Sequence, residues 1–211
     1  MDKTVTFRDF EERDIEFIYK CKNDAELNSM IVGQYHPFTY EEAENWVHGC
    51  MGEHDTYKFW AVCTNDEKQE IIGWTSLAKI DKENRSANIN GIVIGNPKYK
   101  TGLPWIEIQM FIIEYAFINL RVHRLEYTSL TEHPVSMTIA PVMFFQQEGI
   151  FRQAVYKHNR YYDVAYFGIL EEEYFKHKEN GDYEYDAIFM RYVSLRKNRK
   201  MKSYNSMIDN N

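Results

Sequence analysis

The chain is poor in cysteine, has no long apolar run, and carries less positive than negative charge. Its cysteines are Cys21, Cys50 and Cys63. An odd number at these spacings matches no disulfide framework, redox pair or metal site. They read as reduced, partly buried thiols, so a cytoplasmic location is expected. No apolar run follows Met1, so no signal peptide is expected. The longest apolar patches are too short to span a bilayer, which argues against a membrane partner. Lys and Arg number 25 against 32 Asp and Glu, a formal charge of −7. That balance argues against nucleic acid or an anionic membrane surface as the partner. An anionic small molecule would need a local positive patch.

What the 211 residues do contain is enough apolar material, 44%, for one sizeable domain with a core. Aromatics reach 16%, with 16 Tyr and 13 Phe. An aromatic core accounts for them, with a ring-lined cleft as the alternative.

One stretch organises the rest: residues 88–120, in which a short apolar strand (89–94) turns at Gly95-Asn96-Pro97. A compact loop (99–104) then leads into a long amphipathic helix (105–119). A strand feeding a loop at a helix N-terminus suits an anion, because free N–H groups and the positive dipole end point the same way.

Upstream, residues 4–7 read as a strand and 14–22 as a helix that Asp14 can cap. Residues 39–51 read as a second helix opened by a Thr39/Glu42 capping box. Residues 59–64 and 70–80 form a hairpin. Downstream, residues 124–130 follow a crossover helix and are expected to lie parallel to the 89–94 strand. A short helix falls within 134–147, where Pro141 belongs in the first turn. Residues 153–157 and 161–169 make a final hairpin. Helices over 170–178 and 183–200 follow, then a polar, disordered tail from residue 201. The fold class is α+β (mixed α/β), with about seven mostly antiparallel strands flanked by helices.

Several of these segments resemble the GNAT superfamily of acyl-CoA-dependent N-acyltransferases. The likeness lies in Ile80-Asp81 with Asn84-Arg85-Ser86-Ala87, and in Ile92 to Gly95 followed by Asn96, Pro97 and Tyr99. It continues through Glu107, Tyr115-Ala116-Phe117, Leu120 and His123-Arg124-Leu125. Arg152, Tyr161-Tyr162-Asp163, Ile169-Leu170 and Glu173-Tyr174 complete it. More narrowly, the pattern is similar to the branch with ribosomal-protein alanine acetyltransferases and nucleotide-sugar amine acyltransferases.

The resemblance implies a sheet splayed at an acyl-CoA site. Ile92, Val93 and Ile94 would present backbone N–H groups to the thioester, and Lys100, Thr101, Gly102, Leu103, Pro104 and Trp105 would hold the CoA phosphates. It implies acyl-CoA as co-substrate and no metal. Two departures stand out. Leu103 and Trp105 replace small residues of the phosphate loop. His133 stands where the family has Asn, and Ala140 where it has a Tyr near the CoA sulfur, although Ser136 fits. Ala140 would leave room for an acyl group longer than acetyl.

For the chemistry, Asn88 and Asn90 can hold a proton-relaying water, and His133 is the titratable candidate for the base. Tyr35, His36, Tyr161 and Tyr162 could stack on an acceptor, with Arg152, Lys157 and Arg160 meeting phosphates. That set suits the amine of a nucleotide-linked amino sugar of surface-polysaccharide synthesis. The rival readings are a protein N-terminal alanine acetyltransferase and a catalytically inactive acyl-CoA-binding domain. Residues 1–178 form the expected catalytic domain. Residues 179–211 form a helical extension and polar tail that could pack on a second subunit as a homodimer.

Overall fold

The computed structural model of the chain describes residues 3–100 and 102–208. Strand β1 (Val5–Arg8) leads through a short 3-10 turn to helix α1 (Ile15–Lys22), then α2 (Tyr40–Cys50). Strands β2 (Tyr57–Thr64), β3 (Ile71–Asp81) and β4 (Ser86–Ile94) follow, then helix α3 (Gly102–Glu114), which continues as a π-helical turn over Tyr115–Asn119. Strand β5 (Arg124–Leu130), helix α4 (Ser136–Val142), strands β6 (Gln146–Lys157) and β7 (Arg160–Leu170), and helices α5 (Glu171–Glu179) and α6 (Tyr185–Ile208) complete the chain. The strands form one sheet in the order β1-β2-β3-β4-β5-β7-β6, antiparallel except for the β4–β5 pair.

Local chemistry accounts for several boundaries. Thr39 Oγ1 accepts the Glu42 N–H while the Glu42 carboxylate accepts the Thr39 N–H, the capping box that starts α2. Asp14 does not cap α1. Its buried carboxylate instead takes both guanidinium nitrogens of Arg8, at 2.7 and 2.8 Å, and the Glu11 N–H. Pro141 lies in the last turn of α4, not the first. The helix is short enough that the proline removes only one N–H from its closing turn.

Two layers of side chains cover the sheet. On one face α1 and α2 pack Ile15, Ile18, Cys21, Val47 and Cys50 against Ala61, Cys63 and Trp74. On the other, α3 and α4 pack Ile106, Ile112, Ile113, Ile139 and Val142 against Trp60, Leu77, Ala87, Ile89 and Leu125. Helix α3 is buried over most of its circumference rather than amphipathic. The sheet covers one side of it, and α6, through Ile188, Phe189, Tyr192 and Leu195, joins the same core. This segment therefore uses its apolar stripe within the chain. It continues as helix to Ile208, where a disordered tail was expected. Glu107 in α3 accepts the backbone N–H groups of Thr4 and Val5 and so fastens β1.

Candidate active site

The parallel β4–β5 seam is short. It pairs Ser86 with Arg124 through Ile89 with Tyr127, after which β4 runs on to Ile94 and β5 to Leu130 without pairing. The strands part because β4 bulges. Thr75 faces Ile92 and Leu77 faces Ile89, so Asn90 and Gly91 together oppose only Ser76. Gly91 has φ +139, a conformation that favours glycine, and Thr75 Oγ1 donates to its carbonyl at 3.2 Å. The extra residue also switches which side chains turn inward. Ala87 and Ile89 face α3 before the bulge, and Ile92 and Ile94 do so after it.

Between the parted strands lies a cleft of about 650 Å³. Its walls are β4 from Asn88 to Ile94, Tyr127 to Ser129 of β5, the start of α4, and the segment 26–33. The unpaired backbone edge of β4 after Ile89 is the donor row that an acyl oxygen requires.

At the α3 end of the cleft, Lys100 and Trp105 line the wall. Helix α3 begins at Gly102, so Gly102, Leu103, Pro104 and Trp105 are its first turn rather than a loop before it. The first-turn amides of a helix have no intrahelical partner, but Pro104 has no N–H to offer. Thr101 lies outside the described residues.

At the other end, Asn88, Asn90, His133 and Ser136 all line the cleft. The role of His133 changes. Its Nδ1 accepts the Ser136 N–H at 3.2 Å, so the ring caps α4 and its proton sits on Nε2. Burial holds the imidazole below its usual pKa. Its basic lone pair is committed to the helix, which leaves His133 a donor rather than the expected base.

Sequence reading missed Tyr127, the β5 residue at the last paired position of the seam. It lines the cleft at 9% exposure, with Ser136 and Ser129 beside its hydroxyl. Burial pushes its pKa up to about 12, so it is protonated at neutral pH. The signal was present in the alternation of β5, which puts Leu125, Tyr127 and Ser129 on one face.

Ala140 does not open acyl space. It is 1% exposed, packed in the core, and absent from the cleft wall, where α4 and its approach present Val135 and Ser136. The residues expected to contact the acceptor, Tyr35, His36, Arg152, Tyr161 and Tyr162, do not line this cleft. Tyr162 is buried against Leu130, Val164, Met30 and Val32. Arg160 is paired with Glu132 and stacks on the Tyr162 ring. Lys157 is buried, its Nζ donating to the carbonyls of Asn28, Ser29 and Ile31 at 3.3, 3.0 and 2.9 Å. The hairpin braces the segment that walls the cleft.

A family model for the acetyltransferase (GNAT) domain matches residues 4–141. The chain is a GNAT acetyltransferase. An uncharacterized N-acetyltransferase of Bacillus subtilis, YnaD, is 29% identical over 172 residues, spanning 82% of this chain and 96% of its own. The crystal structure of a GNAT-family acetyltransferase from Bacillus anthracis superposes with TM-score 0.69 at 26% identity, covering 82% of this chain and 98% of that one. A spermidine N-acetyltransferase from Vibrio cholerae, solved in complex with CoA and spermine, superposes with TM-score 0.72 over the same shares. At 22% identity it bears on the fold alone. As a member of this family the chain is an acyl-CoA-dependent N-acyltransferase. No group of three His, Cys, Asp or Glu able to hold a metal occurs among the described residues, nor any helix long and apolar enough to cross a membrane.

Proposed function

We propose that the chain transfers an acetyl group from acetyl-CoA to the primary amine of a small acceptor, within the cleft between β4 and β5. The observation that carries this reading is that the cleft joins the two faces of the sheet at the end of the seam. Tyr127, Ser136 and His133 sit on the α3/α4 side. Asn88, Trp74 and the segment 26–33 sit on the α1/α2 side.

In this reading Lys100 and the first-turn amides of α3 take the CoA phosphates. The β4 edge orients the thioester and stabilises the charge that develops on its oxygen, an effect worth about 3 kcal/mol per donor in well-built sites. The amine enters from the α1/α2 side, and a water on Asn88 and Asn90 carries off its proton. The nitrogen lone pair forms the C–N bond, the C–S bond breaks, the sulfur takes a proton from the Tyr127 hydroxyl, and the proton released by the amine returns to Tyr127 through water. Ser136 and Ser129 flank that hydroxyl. Tyr127 thereby supplies the proton donor that Ala140 cannot. Placement of both reactants contributes the larger part of the acceleration.

For the acceptor, a small amine carrying phosphate or carboxylate suits the charges at the cleft better than a polyamine does. The charged side chains on its wall, leaving His133 aside, are Lys22, Lys100 and Glu26. A nucleotide-linked amino sugar falls in this class, although the hairpin residues first assigned to it do not reach the cleft.

The reading is tested by incubating the purified chain with acetyl-CoA, longer acyl-CoAs and a panel of amines, and following thiol release. Acetyl-CoA is expected to be used at least as well as its longer homologues. Failure of CoA to bind would overturn the reading.

A further inference from the structure

Lys22, the last residue of α1, has an ammonium group with an unusual set of neighbours. Its Nζ lies 4.4 Å from the ring centroid of Trp46, 5.2 Å from Phe38 and 5.3 Å from Trp74. Three aromatic faces hold the charge electrostatically but accept no conventional hydrogen bond. No carboxylate of the described residues forms an ion pair with it, and the neighbouring thiols Cys21 and Cys50 are pushed up to about 12 by burial, so they are neutral. A desolvated ammonium without an anion is costly unless something occupies the gap. Lys22 lines the cleft, so the gap opens on the substrate space.

Lys22 and Lys100 both act on the Cys21 thiol and both line the cleft, but they reach it from different elements. Lys22 projects among Trp46 of α2 and Trp74 of β3, on the face covered by α1 and α2. Helix α3, whose first turn takes the phosphates in the reading above, covers the opposite face. Glu26, the acidic group on the same wall, is exposed and forms no ion pair with Lys22.

We propose that Lys22 receives an anionic group, a phosphate or a carboxylate, borne by the amine acceptor, and so selects acidic amines over neutral or polycationic ones. The proposal rests on the acyl-transfer reading and adds the acceptor's chemical class. The aromatic walls exclude water and hold the ammonium still. The bound anion supplies the hydrogen-bond acceptors that the walls lack.

The test uses the full chain with its lysines converted to ¹³C-dimethyl-lysine and saturated with CoA, so that the phosphate end is filled. Inorganic phosphate and acetate are titrated separately, and the Lys22 resonance is identified by its loss in Lys22→Met. A saturable shift of that resonance in either arm, with exposed Lys20 and Lys82 unmoved, is the expected result. A shift on adding CoA alone assigns Lys22 to CoA and overturns the proposal. So does no response in both anion arms.

Kinetically, Lys22→Met is expected to raise KM for glucosamine 6-phosphate about tenfold relative to glucosamine, the scale of one charge-assisted contact. KM for acetyl-CoA stays unchanged, and Lys22→Arg retains most of the preference. Equal effects on both sugars would overturn it. CoA binding by calorimetry separates the two failures: if CoA binds while Lys22 ignores both anions, only this inference falls.

Discussion

At the scale of single residues, Tyr127 and His133 leave different signatures, one on the rate and one on stability. Tyr127→Phe keeps the ring packed against Phe145 and Phe167 but deletes the hydroxyl. It is expected to lower kcat by about 100-fold, within the range of one general acid, with both KM values within about twofold. A drop in KM for acetyl-CoA equal to that in kcat would show that the hydroxyl acts in the ground state instead. With the Tyr127 pKa near 12, the wild-type rate should show no alkaline limb from this group below about pH 10.

His133 gives a different signature. Its folded pKa lies below the unfolded value, so the unfolded chain binds more protons through the window beneath about pH 6.5. Its contribution to stability is complete above that value and is lost as pH falls through the folded pKa. His133→Gln should flatten the acid slope of Tm against pH. His133→Ala, which also removes the α4 cap, should cost about 1 kcal/mol in denaturant titration.

That Asn88, Asn90 and His133 line the cleft followed from their falling on a strand and at a strand end, and Ser136 came from the family likeness. Tyr127 and Lys22 were not legible in the sequence. Each reads as an ordinary half-buried residue until the strands part or three rings from distant segments close around it.

At the scale of elements, the bulge and the hairpin brace set the shape of the cleft. Gly91 at φ +139 cannot be replaced without strain. Gly91→Val should cost about 1–3 kcal/mol and lower kcat more than it raises KM, as read by denaturation and steady-state kinetics. Lys157→Met leaves three loop carbonyls at residues 28, 29 and 31 without their donor. The expected result is a loss of about 2 kcal/mol and a higher KM for the acceptor, with KM for acetyl-CoA unchanged. A variant with unaltered acceptor KM would show that the brace carries stability alone.

The capping box of α2 and the run of β5 were readable because both rest on local chemistry. The late position of Pro141 was not, since only tertiary contacts make so short a helix worth forming. The burial of α3 was likewise hidden, because its second cover, α6, comes from some 80 residues further along the chain.

At the scale of the whole molecule, the charge of −7 and the two lysines of the cleft act in opposite directions on an anionic substrate. Raising ionic strength weakens both, but the exposed negative surface is screened first. Overall order was legible: alternating and apolar strands in the right sequence, with one crossover helix, leave few topologies open. The parting of the strands was carried over from family likeness. No periodicity in β4 or β5 alone shows where their pairing stops.

The shortness of the β4–β5 seam has a mechanical consequence. Strands β1 to β4 and strands β5, β7 and β6 are two half-sheets sewn together by four residue pairs, Ser86–Arg124 to Ile89–Tyr127. A molecule lodged across the gap acts as additional stitching. Amide hydrogen exchange should therefore slow most at residues 90–94 and 128–130 when CoA is added, and the free energy of unfolding should rise with its concentration, by about 2.7 kcal/mol at a hundred times Kd, with Tm rising alongside. In its absence the two halves should open as separate cooperative units, with the break running along that seam.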